Sequence, residues 1–132
     1  MLARSISALK KYYNIQLDNS CITDIVTETT RNGMLTYKYP TAEGTEVYIH
    51  SKYNPVNEIE HAFQNIDFNR DCLFIVYGLG LGYHIDALAK RKSAASIIFV
   101  IEKEEAILKT YCKYHDVEEE LARQNIFLFY GN

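Results

Sequence analysis

The 132-residue chain has no tryptophan, no CxxC pair, no basic run longer than three residues and no apolar stretch of membrane-spanning length. The last three absences each exclude something. The three cysteines, Cys21, Cys72 and Cys112, are odd in number and widely separated. A zinc ribbon or a thioredoxin-type redox motif is therefore not expected, and reduced thiols in the cytoplasm are. The formal charge is −3, and the densest basic cluster is Lys90, Arg91 and Lys92. Three cations near a helix end complement its dipole. They do not make the basic stripe of a nucleic-acid surface, so no nucleic-acid partner is expected. Residues 1–13 carry Arg4, Lys10 and Lys11 among apolar residues, without the apolar core of a signal peptide. No run reaches the roughly 20 apolar residues of a membrane span, so no membrane partner is expected.

What is present divides into two halves, 1–66 and 67–132. In the first, Leu2, Ile6, Leu9 and Tyr13 are spaced by four, three and four residues, which predicts a helix over Leu2 to Tyr13. Three β-like runs follow: Ile22 to Thr30, Met34 to Tyr39 and Thr45 to His50. Arg31-Asn32-Gly33 separates the first two, and Asn-Gly is a strong hairpin signal because both residues tolerate positive φ. Pro40 to Gly44 forms the second turn. The expected arrangement is a three-stranded antiparallel meander, with Leu35, Tyr37 and Tyr39 on one face and Val47 with Ile49 on one face. Asn54 can cap the next helix and Pro55 suits its first position. That helix is expected to run to about Asn65 with Val56, Ile59, Phe63 and Ile66 as its buried stripe.

The second half changes character. Cys72 to Tyr77 is a continuous apolar run, which predicts a strand buried on both faces, as in a parallel sheet covered by helices. Gly78-Leu79-Gly80-Leu81-Gly82 follows, then a helix from Tyr83 to about Lys92. A second apolar run, Ile97 to Ile101, ends in Glu102. Helical patterns lead through Tyr114 and from Val117 to Arg123 to a third run, Ile126 to Tyr130. Strand, helix, strand, helix, strand with short connections predicts a Rossmann-like βαβαβ parallel sheet segment. The predicted fold class is therefore α/β: an N-terminal helix and antiparallel meander, followed by this segment. Three parallel strands are few for such a sheet. The expectation is that residues 67–132 belong to a longer chain, or that the meander or a partner completes the sheet. An unfinished sheet also leaves an edge, Ile126 to Tyr130 or the meander, that could pair with another copy in a homodimer.

The candidate site is the glycine loop between a buried strand and a helix N-terminus. Glycines there let a ligand approach backbone N–H groups, and the helix dipole favours an anion. Glu102 lies 24 residues beyond Gly78 at the end of the next strand, where a carboxylate can accept ribose hydroxyls. His84, in the first turn of the helix, can donate to a phosphate or carboxylate. The spacing is GxGxG rather than GxGxxG, with Tyr83 where the last dinucleotide-fingerprint glycine would stand. It resembles the first motif of S-adenosylmethionine-dependent methyltransferases, although Val76 holds the place of their usual acidic residue. Gly78, Gly80, Gly82, Tyr83, His84 and Glu102 are thus candidate ligand-binding residues for a nucleotide or S-adenosylmethionine, beside a purely structural reading of the loop. His50 and His61 have no metal-like spacing, so no metal site is expected. No catalytic residue stands out.

Two segments in order carry a more specific resemblance. His50-Ser51-Lys52-Tyr53-Asn54-Pro55-Val56-Asn57-Glu58 and Tyr77-Gly78-Leu79-Gly80-Leu81-Gly82-Tyr83-His84 resemble the N-terminal part of bacterial motility-associated factor glycosyltransferases. These share a domain described as similar to 6-hydroxymethylpterin diphosphokinase. Ser51, Tyr53, Pro55, the three glycines, Tyr83, His84 and Glu102 match, and Asn54 stands where Asp is usual. The resemblance covers roughly residues 45 to 132. It implies a protein that transfers a nonulosonic sugar from a CMP-activated donor to flagellin. Catalysis would lie in a downstream domain of the same protein, with this chain as an accessory domain that does not turn over alone.

Overall fold

The computed structural model describes residues 1–17 and 25–131. The chain divides into two compact units, Met1–Asp24 with Asp67–Asn132, and Ile25–Ile66. No described helix is long and apolar enough to cross a membrane.

Helix α1 (Leu2–Tyr13) has the bounds its periodicity predicts. Asn14, left-handed at φ 54°, ends it, and the N–H groups of Asn14 and Ile15 return to the carbonyls of Lys10 and Leu9. The buried face is Ser5, Ala8 and Leu9, with Leu2, Ile6 and Tyr13 at its margins. This helix packs on the parallel-sheet unit, against the later helices and the last strand. That placement differs from a first half grouped as residues 1–66.

The second unit contains two hairpins instead of one meander. Strand β1 (Glu28–Thr29) pairs antiparallel with β2 (Leu35–Thr36), and β3 (Lys38–Pro40) pairs antiparallel with β4 (Glu46–Tyr48). The start of the first expected strand, Ile22 to Asp24, lies outside the described residues. The middle strand breaks at Tyr37. There the Thr36 hydroxyl donates to the His50 carbonyl at 2.7 Å and accepts from the His50 N–H at 3.1 Å, and Ile49 N–H donates to the Tyr37 carbonyl at 2.8 Å. Thr36 and Tyr37 are both buried, so the expected alternation fails where the pairing partner changes. Val47, expected on one face with Ile49, is exposed, whereas Tyr48 and Ile49 are half-buried and Lys38 and Lys52 lie over the Tyr48 ring.

Both hairpin turns use one device. Thr30 N–H bonds the Met34 carbonyl at 2.7 Å and Thr41 N–H bonds the Thr45 carbonyl at 2.6 Å, each across three residues ending in a glycine. Gly33 has positive φ, but Asn32 does not. The Asn-Gly pair therefore serves a three-residue loop with a left-handed glycine, not a two-residue turn.

Helix α2 (Pro55–Phe63) buries Pro55, Ile59 and Phe63 and leaves Val56 outward, so proline replaces valine in the expected stripe.

In the other unit, β5 (Leu73–Tyr77), α3 (Tyr83–Arg91), β6 (Ile97–Glu102), α4 (Glu105–Tyr114), α5 (Val117–Glu120), a 3-10 turn (Ala122–Gln124) and β7 (Ile126–Tyr130) follow in order. The strands form a parallel sheet ordered β5-β6-β7, and an α/β fold is what the sequence predicts. Neither hairpin adds a strand to this sheet, so among the described residues the meander does not complete it.

One expectation is overturned here. Strand β5, expected to be buried on both faces, is not, and its neighbours share the open face. Ile98, Val100, Ile126 and Leu128 are buried, whereas Leu73, Ile75, Tyr77, Ile97, Phe127 and Phe129 on the opposite face are exposed. The reason is topological. The strand order advances the same way at each step, and two right-handed crossovers in one direction put α3 and α4 on one side. Helix α1 packs with α4, α5 and β7 on that covered layer.

Long-range polar contacts close the layer. Ser5 Oγ donates to the His115 carbonyl at 2.6 Å and accepts from Val117 N–H at 3.1 Å. Tyr13 hydroxyl donates to the Ile126 carbonyl at 2.6 Å, and its burial pushes its pKa well above the usual tyrosine value.

Candidate functional site

The glycine loop starts where β5 stops. Gly78 N–H donates to the Ile101 carbonyl at 2.8 Å, which extends the β5–β6 ladder by one bond. Gly78 then takes φ 100°, a left-handed value that turns the chain out of the sheet. Leu79 and Leu81 drop into the core at 3% and 1% exposure. The two leucines anchor the loop from below while the glycines between them make the bends. Gly82 N–H closes the turn on the Leu79 carbonyl at 3.0 Å, and α3 begins at Tyr83.

Gly82 is required on two counts. Its φ is 83°, and a Cβ built on it would lie 2.6 Å from Tyr111 Cε2. Tyr111, on α4, is buried and stacks on His115 with ring centres 4.4 Å apart. The third glycine therefore permits α3 and α4 to approach over the end of the sheet. Gly78 differs: nothing lies within 4 Å of its Cβ position.

Glu102 ends β6 beneath the loop and is 3% exposed. Its Oε1 accepts the Leu79 N–H at 2.8 Å and its Oε2 accepts the Glu104 N–H at 3.0 Å. Its own carbonyl accepts Gly131 N–H at 3.0 Å. One carboxylate thus ties the β5–α3 loop to the β6–α4 loop. Bonds from backbone N–H groups to an ionised acceptor are stronger than neutral ones and satisfy donors that would otherwise be stranded.

Tyr83 and His84 sit half-buried in the first turn of α3. The structure therefore brings Gly78, Gly80, Gly82, Tyr83, His84 and Glu102 to one end of the sheet, as their order along the chain predicts. No protein-family model matches the chain, and no curated protein matches it.

The other segment of the resemblance forms a joint within the Ile25–Ile66 unit. Asn54 Oδ1 caps α2, accepting from Val56 N–H at 3.0 Å and Asn57 N–H at 3.4 Å. It also accepts from the Asn32 side-chain amide at 2.9 Å. Ser51 Oγ accepts the N–H groups of Tyr53 and Asn54, both at 3.2 Å. Glu58 Oε2 accepts Ser51 N–H at 2.8 Å and lies 3.8 Å from His50 Nδ1. Arg31 and Asn32 N–H groups reach the carbonyls of Lys52 and Tyr53. The tip of the first hairpin is thereby fastened to the start of α2. The cap was legible in the sequence; the Asn32–Asn54 and His50–Glu58 pairs were not, since each needs tertiary closure.

Lys90, Glu118 and Cys112 have perturbed pKa values with evident causes. Lys90 pairs with Asp86 at 2.9 Å one turn away, which raises its pKa. Glu118 takes a hydrogen bond from the Tyr12 hydroxyl, which lowers its pKa. Cys112 is buried, and burial pushes its thiol up to about 12. Such a thiol is inert as a nucleophile.

Proposed function

We propose that this chain is an accessory domain of a bacterial motility-associated glycosyltransferase-like protein, a scaffold without turnover of its own. The observation that carries the structural role is the state of Glu102: both carboxylate oxygens already hold backbone N–H groups of the two loops they join. The close approach of Gly82 to Tyr111 supports the same reading, because it gives the third glycine a packing purpose. In this proposal the transfer of a nonulosonic sugar to flagellin takes place in a downstream domain, and that domain and flagellin are the partners. A cytoplasmic setting goes with it, and Cys72 and Cys112 as free thiols are compatible with that compartment.

A second reading draws on Gly78, where open space above the backbone would let a nucleotide or S-adenosyl group approach the loop. One pair of experiments separates them. Thermal unfolding is followed with CMP, a CMP-linked sugar, S-adenosylmethionine, S-adenosylhomocysteine and NAD. The scaffold reading expects no stabilisation. A bound ligand at a hundred times its Kd adds about 2.7 kcal/mol, and such a gain, lost in Gly78→Val, would establish the second reading. In cells, excising the coding segment should lower the intact mass of flagellin by the missing sugars. Fully modified flagellin in that strain would refute the accessory role.

A further inference from the structure

The bare face of the parallel sheet is built from the outward positions of all three strands. In register across it run Leu73 and Ile97, then Ile75, Phe99 and Phe127, then Tyr77, Ile101 and Phe129. Six of the eight are between 44% and 79% exposed. Phe99 stacks on Phe127 and on Phe129, with ring centres 5.0 Å and 5.6 Å apart. No position on this face carries a charge. A sheet face open to solvent normally carries polar residues that alternate with the buried ones along each strand. Side chains of these sizes and exposures present roughly 700 Å², above the ~300–600 Å² of the largest apolar patch on a typical monomer and close to the ~800 Å² each partner gives a standard interface.

We propose that this face is a dimer interface, and that a second copy of the same chain covers it. Three features favour that occupant. The area matches what a stable dimer needs from each side. The face has no charge that would select a partner of opposite charge, so its complement is another apolar surface. Two identical sheets share the same twist, so they stack face to face at about 10 Å with their strands within about 30° of each other. Phe99 lies on the middle strand in the middle rank, so a two-fold axis in the plane between the sheets passes beside it. Self-association through this face differs from edge pairing along Ile126 to Tyr130, because it uses side chains and leaves the backbone ladder as it is.

Sedimentation velocity of the full chain over about 1 to 100 μM tests the proposal. The expected species has twice the 15.3 kDa mass of one chain. Ile75→Lys with Phe127→Lys, both at exposed positions, should raise the dimer dissociation constant at least about 100-fold, because each buries an unpaired charge at the interface. Tyr77→Lys alone, at the most exposed position, should weaken it about tenfold. Far-UV circular dichroism of the variants should match the wild type, showing that the fold survives. A wild-type monomer at every concentration overturns the proposal. So does a dimer that withstands the lysines in folded protein, since edge pairing would then be the mode of association.

Discussion

Replacing Gly82 by alanine should be among the most damaging small changes to the protein, and the structure separates its two causes. The first is conformational. At φ 83°, a left-handed backbone costs a residue with a Cβ about 1–2 kcal/mol. The second is steric. The new Cβ would meet Tyr111 Cε2 at 2.6 Å. Tyr111 cannot easily turn aside, because its ring is buried and stacked on His115. Forcing apart a packed contact of this kind costs about 1–3 kcal/mol. Gly82→Ala should therefore lose about 2–5 kcal/mol in urea unfolding. Gly78→Ala is the internal control: its φ is 100° but nothing lies near its Cβ, so it should lose only about 1–2 kcal/mol. A double-mutant cycle isolates the contact. In a Tyr111→Leu background the cost of Gly82→Ala should drop by about 1–3 kcal/mol. Equal costs for the two glycines, or an unchanged cost of Gly82→Ala in the Tyr111→Leu background, would refute the packing role of the loop.

Further outcomes are expected elsewhere. Glu102→Gln exchanges one acceptor oxygen for a donor, so it cannot satisfy both Leu79 and Glu104 N–H groups; urea unfolding should show a loss of about 1–3 kcal/mol, and unchanged stability would remove the bracing role. Asn54→Ala should cost about 1–2 kcal/mol in the same assay by uncapping α2, with Asn54→Asp close to neutral. Cys112 should resist iodoacetamide at pH 8 in the folded protein and react on unfolding, as its thiol is pushed up to about 12; rapid labelling of the native chain would contradict its burial. The same groups set an alkaline limit. Cys112, Tyr13 and Tyr111 all have pKa values raised by burial, so the stability they lend is complete below their ordinary values of 9.0 and 10.0 and is lost as pH climbs above 9. Denaturant midpoints from pH 8 to 11 should fall, and a flat profile would be inconsistent with three buried protonated groups.

Several helix and strand positions were open to reading from the chain alone. Leu2 to Tyr13, Ile126 to Tyr130 and the Asn54-Pro55 helix start emerge where spacing or capping residues put them, because periodicity and caps act over a few neighbours. The glycine loop was likewise predictable as a corner between strand and helix, and Glu102 as the end of the following strand. Its task was not. A carboxylate at a strand end can receive ribose hydroxyls or backbone N–H groups with equal chemical ease, and only folding brings Leu79 and Glu104 to its two oxygens. The same holds for Ser5, whose hydroxyl looks unremarkable in an apolar helix but meets His115 and Val117 more than a hundred positions away.

The tertiary structure also decided burial where composition misled. Continuous apolar runs such as Leu73 to Tyr77 signal two buried faces only when helices lie on both sides. Here both crossovers turn the same way, so identical hydrophobicity ends as a core on one face and an exposed aromatic ladder on the other. Local sequence thus determined which segments would be helix or strand, since those preferences are set by adjacent backbone and side-chain geometry. Which face was covered, where the middle hairpin strand broke, and what each carboxylate held followed from partners distant in the chain, whose proximity no local pattern encodes.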